Sequence, residues 1–257
     1  MACIDTQLFL GFLNSSPTSH SNFMDFLEYV YTQYPNMIEK KDDKIIAVCA
    51  EIDIEANIDC DIACDGIVFK EKVKFDKCEF KGKVSFKNCT FKKQVIFSNS
   101  SFEDNVYFNN STFEDYADFH ECEFEKVACF YGVKFQKVPN LSACYFKEQK
   151  AVNLVNIDIN SLDFKKVEYF IDDNYYKDKT YQKDQSKEKE QKYKLRYAQN
   201  AKDSFRIIKD VLIEQNNILE AQEWHKLELY AKENELAIRL KQESQQPFKL
   251  LKKTKGK

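Results

Sequence analysis

Glycine and proline are scarce, five and four in 257 residues, and there are only three histidines and one tryptophan. Gly66, Gly82 and Gly132 stand apart, so no glycine-rich loop is available to cradle a phosphate. His20, His120 and His225 are far apart in sequence. His225 sits in His-Lys-Leu-Glu, which lacks the His-Glu-x-x-His pattern of a zinc protease. No stretch reaches about 18 consecutive apolar residues, which argues against a membrane-spanning helix. The apolar run at 8–13 has no basic residue before it and is too short for a signal sequence. Charge of one sign is lacking too: 39 Lys and Arg face 42 Asp and Glu, without the basic excess of a general nucleic-acid binder. These absences lead us to expect a cytoplasmic protein with reduced cysteines. No catalytic, cofactor-binding or metal-binding residue stands out, and no small-molecule substrate is evident.

What is abundant is Phe, at 22, with 14 Tyr and 9 Cys. Phe recurs at 69, 75, 80, 86, 91, 97, 102, 108, 113, 119, 124, 130 and 135, with spacings that alternate six and five over twelve intervals. Leu141 and Phe146 continue the series. Two residues before each stands a small or β-branched residue, such as Val73, Cys78, Val84, Cys89, Ser100 and Cys122. Residues at i and i−2 of an extended chain point to one side, and the polar residues between point to water. An α-helix would need spacings of three and four. A chain that turns a corner at every repeat fits. Four such sides make a 22-residue coil, with coils stacked about 4.8 Å apart and Phe above Phe inside.

The segments Cys78-Glu79-Phe80, Val84-Ser85-Phe86, Cys89-Thr90-Phe91 and Cys122-Glu123-Phe124 resemble the bacterial pentapeptide-repeat proteins. That family has a central Leu or Phe, a small residue two before it, and the fold of a right-handed quadrilateral β-helix. This chain departs by an extra residue in every second repeat and by Phe in place of Leu. Looser copies extend the pattern, Ile52/Ile54, Ile58/Cys60 and Ile62/Cys64 before it, and Val152/Leu154, Ile157/Ile159 and Leu162/Phe164 after it. The expected fold is mainly β, a right-handed quadrilateral β-helix with an N-terminal helix and a C-terminal αα-hairpin.

Residues 22–34 carry apolar positions at 23, 26, 27, 30 and 34, a helical spacing that Pro35 stops. This helix is expected to cover the first coil, where open strand edges need a cap. The expected divisions are an N-terminal helical cap over 1–49, the β-helix over 50–165, a charged linker over 166–197, a helical hairpin over 198–243 and a basic tail over 244–257. The hairpin shows helical periods at 198, 201, 205, 208 and 212 and again from Ile218 through Ala221, Trp224, Leu227 and Ala231. Asn216-Asn217 marks its turn. The string from Phe205 to Glu228 is similar to a hairpin that follows the repeats in some pentapeptide-repeat proteins, several of which carry membrane helices next. That resemblance implies a membrane-associated module as one alternative, with the basic residues of 249–257 touching an anionic leaflet.

Cys78, Cys89, Cys122 and Cys144 occupy the same slot as Ser and Val elsewhere, so they are expected to be small core residues. Cys129 is expected to face outward. Residues 70–93 hold nine Lys against three acids, and 102–126 hold eight acids against one Lys. Duplex mimicry, which the family implies as a further alternative, needs an acidic strip along the whole rod, and the basic early half argues against it. The main expectation is a non-enzymatic scaffold that binds a protein partner or itself and has no specific nucleic acid. Trp224, Leu227, Leu236 and Leu240 are the candidate anchors, because Trp often anchors interfaces.

Overall fold

The computed structural model describes residues 2–15, 22–158, 163–177 and 186–244. Its centre is a four-sided β-solenoid of about five coils, built from parallel two-residue strands with one sheet per side. On the third side Phe80, Phe102, Phe124 and Phe146 pair in register, with ring centroids 4.6, 5.0 and 5.0 Å apart. On the first side Phe69, Phe91, Phe113 and Phe135 stack at 4.9, 4.8 and 5.1 Å. The 22-residue coil that the spacing predicts is therefore present, and the ladders fill its interior.

The alternation of five and six comes from two kinds of corner. After the second and fourth sides the chain passes through a left-handed residue, at Lys77, Asn88, Asn99, Asn110, Glu121, Gly132, Ala143 and Asn156, with φ between 55° and 67°. Asn tolerates this conformation better than most side chains, so it holds four of these corners and glycine stays scarce. At Gly132 an added Cβ would also lie 2.4 Å from Asn110 Oδ1. The corners also set backbone direction. On the second and fourth sides N–H groups donate forward, as Phe97 N to Asp118 O at 2.8 Å; on the first and third they donate backward, as Glu103 N to Phe80 O at 2.8 Å. The last coil thus ends with forward-pointing N–H groups on two sides.

The N-terminal end is closed by more than the expected helix. Strand β1 (Cys3–Asp5) pairs in parallel with Glu51–Asp53. Helix α1 (Thr6–Ser15) takes up the apolar run at 8–13, and α2 (Phe23–Gln33) follows, with Asn22 forming a capping box with Asp25. Strand β2 (Ile38–Lys41) folds back antiparallel on β3 (Lys44–Val48), the first strand of the first side. Phe9, Phe23 and Phe26 are fully buried; Phe23 meets Phe75 at 5.8 Å, and its N–H donates to Asp61 O. The 1–49 segment therefore contributes strands as well as helices. One register differs from the expectation: Ile58, not Cys60, lies beneath Phe80 at the regular 22-residue offset, and the short corner between Ile54 and Ile58 instead sets Ile52 against Val73 at an offset of 21.

At the other end lie α3 (Phe164–Lys177), α4 (Lys187–Glu214) and α5 (Ile218–Ser244). Of the 166–197 stretch expected as a charged linker, 166–177 lies in α3 and 187–197 in α4. Its sparse apolar residues Val167, Phe170 and Ile171 are buried, and its charges pair across the helices, as Lys194 does with Asp172 at 3.0 Å. The turn falls at Asn216, as expected. It is a Schellman motif, with Asn217 N donating to Leu212 O and Asn216 N to Ile213 O, and Asn216 at φ 58°. His20, Ile159, Leu162 and the basic tail from 245 onward lie outside the described residues.

Candidate functional site

The cysteine slot has a specific role at the left-handed corners. Cys122 Sγ donates to Phe97 O at 3.0 Å, Cys89 Sγ to Cys64 O at 2.8 Å and Ser100 Oγ to Phe75 O at 2.8 Å, each in the preceding coil. The Ser100 hydroxyl also accepts from Cys78 N at 2.9 Å. A thiol or hydroxyl thus satisfies backbone groups that Val could not, and Cys or Ser holds this slot at 78, 89, 100, 111, 122 and 144, with Ile67 and Val133 as exceptions. Burial pushes the thiols of Cys78 and Cys89 up to about 12 and that of Cys60 to about 11.

Cys129 corrects the expectation: it is only 7% exposed. It sits in register between Tyr107 and Asn153, and the Asn109 amide donates to its sulfur at 3.1 Å. With a thiol reagent, Cys3 should react first, being the exposed one of the nine cysteines. It should still react more slowly than free cysteine, because partial burial and then the carboxylates of Glu51, Asp53 and Asp5 raise its pKa. Cys64, Cys78, Cys89, Cys122 and Cys129 should label only on unfolding. Time-resolved mass spectrometry checks this order, and Cys129 labelling alongside Cys3 would contradict the packing.

On the second side Asp118, His120 and Ser142 come together but are not wired for nucleophilic catalysis. His120 Nδ1 lies 2.9 Å from Ser142 Oγ. However, the Ser142 hydroxyl donates to Asn140 Oδ1 at 2.6 Å, and Ser142 is 3% exposed. Asp118 accepts from the His120 backbone N–H at 2.9 Å instead of orienting the ring. Burial pushes the Asp118 carboxyl up. The set is a polar ladder between coils. His225 lies exposed on α5, its ring 3.0 Å from Glu228.

Part of the rod's charge is paired coil against coil, while Glu103 faces Glu79 of the preceding coil, which raises its pKa. Lys81 pairs with Asp59 at 3.0 Å and Lys126 with Asp104 at 3.3 Å, and Lys137 and Lys147 pair with Asp115 and Glu125. Three acids of the acidic stretch thus pair with lysines that follow them by 22 residues. Each such exposed pair is worth little by itself.

The hairpin has two faces. Its inner face continues the solenoid: Leu141 N–H, pointing forward with no further coil to receive it, donates to Ser204 Oγ at 2.8 Å. Pro139, two residues earlier, has no N–H to satisfy. The Gln215 amide donates to the Val152 carbonyl. Trp224 is 0% exposed, packed on Phe205 at 5.9 Å, and Leu227 is 4% exposed. Both candidate anchors therefore belong to the interior of the cap. Leu236 and Leu240 are 47% and 65% exposed, and Leu229, overlooked in the sequence, joins them at 56%. Spacings of seven and four place these three on the helix face opposite Trp224, Leu227 and Ala231.

Within the hairpin, Glu235 is 2% exposed and bonded to Lys202, Lys232 and Arg239. Burial raises its pKa, but the hydrogen bonds from Lys232, Arg239 and Lys202 outweigh that and hold it at about 2, against 4.5 normally. A depressed carboxyl stabilises the fold above its unfolded pKa and loses that contribution as pH falls through the folded one. Thermal melts should lose on the order of 2 kcal/mol between neutrality and about pH 2 from this group. Glu235→Gln should melt lower at pH 7 and show a flatter acid limb. A variant with the wild-type melting point at pH 7 would show that the cluster is energetically idle.

A cavity of 310 Å³ lies between α3, α4 and α5, lined by Glu168, Asp172, Glu190, Lys194 and Lys241 among others. Among the described residues there is no group of three or more His, Cys, Asp or Glu placed to hold a metal ion. No helix among them is long and apolar enough to cross a membrane. No curated protein and no solved structure matches the chain. Residues 75–123 match the family model for pentapeptide repeats (9 copies). They lie within the stretch where Phe ladders and left-handed corners recur with the 22-residue coil. Residues 75–123 of the β-solenoid thus carry pentapeptide repeats, with Phe at the centre of the repeat and a small residue two before it.

Proposed function

We propose that the chain is a non-enzymatic cytoplasmic scaffold that binds protein through the outer face of its C-terminal hairpin, with the solenoid as a rigid spacer. One observation carries this reading. The solenoid turns its apolar residues inward and shows mostly charged and polar residues outside, whereas α5 exposes Leu229, Leu236 and Leu240 on the side away from the closed coil. Desolvated apolar anchors make better binding hot spots than rim charges. The nine lysines of residues 70–93 weigh against duplex mimicry, which needs an unbroken acidic strip. Membrane contact through the 249–257 tail is the remaining alternative, and it leaves the leucine face unused.

The test compares two full-length variants in native extract. One replaces Leu229, Leu236 and Leu240 by Ser; the other replaces Lys92 and Lys93 of the rod by Ser. Bound protein, this chain included, is quantified by mass spectrometry. Loss confined to the leucine variant supports the reading. Equal retention by both, or loss confined to the rod variant, overturns it.

A further inference from the structure

We infer that the partner at this face is a second copy of the chain, laid antiparallel along α5. The inference rests on the hairpin being the docking element and adds the identity and geometry of what docks. The exposed stripe of α5 reads Lys226, Leu229, Glu233, Leu236, Leu240 and Glu243. All six are exposed, on a helix of 27 residues. The stripe is complementary to its own reverse. A two-fold axis midway between residues 234 and 235 sets Leu229 against Leu240 of the second copy, and Lys226 against Glu243 of the second copy. Symmetry makes each contact twice, as an isologous interface requires. Leu236 then lies over the methylene stem of Glu233 of the second copy.

A parallel arrangement would oppose Lys226 to Lys226 and Glu243 to Glu243, so the charges select the antiparallel one. Lys226 also pairs with Glu223 of its own chain at 2.6 Å, with both side chains more than half exposed. A surface pair of that kind is readily exchanged for a new partner. The two Glu233 carboxylates approach each other near the axis, which weakens the pairing. One helix against one helix sits at the small end of specific interfaces, under roughly 1,200 Å². The expected association is therefore reversible, with a Kd on the order of 10 µM.

Sedimentation equilibrium of the full chain over roughly 1–500 µM should show a monomer–dimer equilibrium. Lys226→Glu alone and Glu243→Lys alone should each weaken it about 10-fold, because each opposes like charges twice. Mixed together, the two variants should form a heterodimer as tight as the wild type, since both pairs become attractive again. Two weakened variants that do not rescue one another would overturn the antiparallel register. A chain that stays monomeric throughout would overturn self-association. In that case, if the leucine-to-serine variant still loses protein bound from extract, the docking face stands and its partner is a different protein. If that variant loses nothing, the docking reading falls as well.

Discussion

Phe97→Ala is expected to lower the unfolding free energy by about 3–5 kcal/mol. Phe97 is fully buried in the middle of the second-side ladder, stacked on Phe75 at 5.5 Å and on Phe119 at 5.6 Å. It also meets the edges of Phe86 and Phe108 at 6.0 and 5.6 Å. Phe80 and Phe102 lie at 6.1 and 5.9 Å as well, so removing it leaves a hole that six other ladder rings line, and a solenoid held coil against coil cannot close it without shifting a whole rung. Phe146→Ala at the end of the third-side ladder should cost less, because Phe146 has one stacking neighbour in its ladder and is already 8% exposed. Phe102→Asp, which buries an unpaired charge, should abolish folding. Chemical denaturation followed by circular dichroism measures the order. A Phe97→Ala cost below that of Phe146→Ala would mean that the ladders do not carry the stability of the rod.

Ending the chain at residue 185 should lower the melting point by roughly 10–20 °C and cause aggregation. The hairpin covers the last coil, where Leu141 and Leu154 are fully buried and Ile157 is 3% exposed. Uncovering aliphatic side chains costs roughly 1.5–3 kcal/mol each, and the three together cost about 5 kcal/mol. The Leu141 N–H loses Ser204, and forward-pointing donors of the second and fourth sides become an open edge of the kind that recruits other strands. Differential scanning calorimetry and light scattering on the shortened chain decide this. A shortened chain that stays soluble and melts with the intact protein would show that the hairpin is an appendage and not a cap.

The hairpin has two separable tasks. Its inner face is tied to the rod by Ser204, Gln215 and the buried Trp224, so deletion cannot probe binding without also opening the solenoid. Substitutions at Leu229, Leu236 and Leu240 probe the outer face alone.

The sequence by itself determined the solenoid. Its contacts repeat at a fixed offset, so the spacing of Phe and of the small residue before it already encodes which residues stack. The helical period of 198–212 and the Asn216 turn were legible for the same reason, since both depend only on near neighbours. Other features were decided by the tertiary structure. Cys129 reads as outward by its place in the repeat, yet the neighbouring coils bury it with Tyr107 below and Asn153 above. Trp224 reads as an interface anchor, yet it packs on Phe205 inside the cap, and the overlooked Leu229 is the residue left outside. The strand at Cys3–Asp5 had no period to reveal it, because a single edge strand is specified only by the sheet it joins. A repeat states which residues share a side of the coil, but which surface covers each end depends on segments distant in sequence meeting in space, and no local pattern records that meeting.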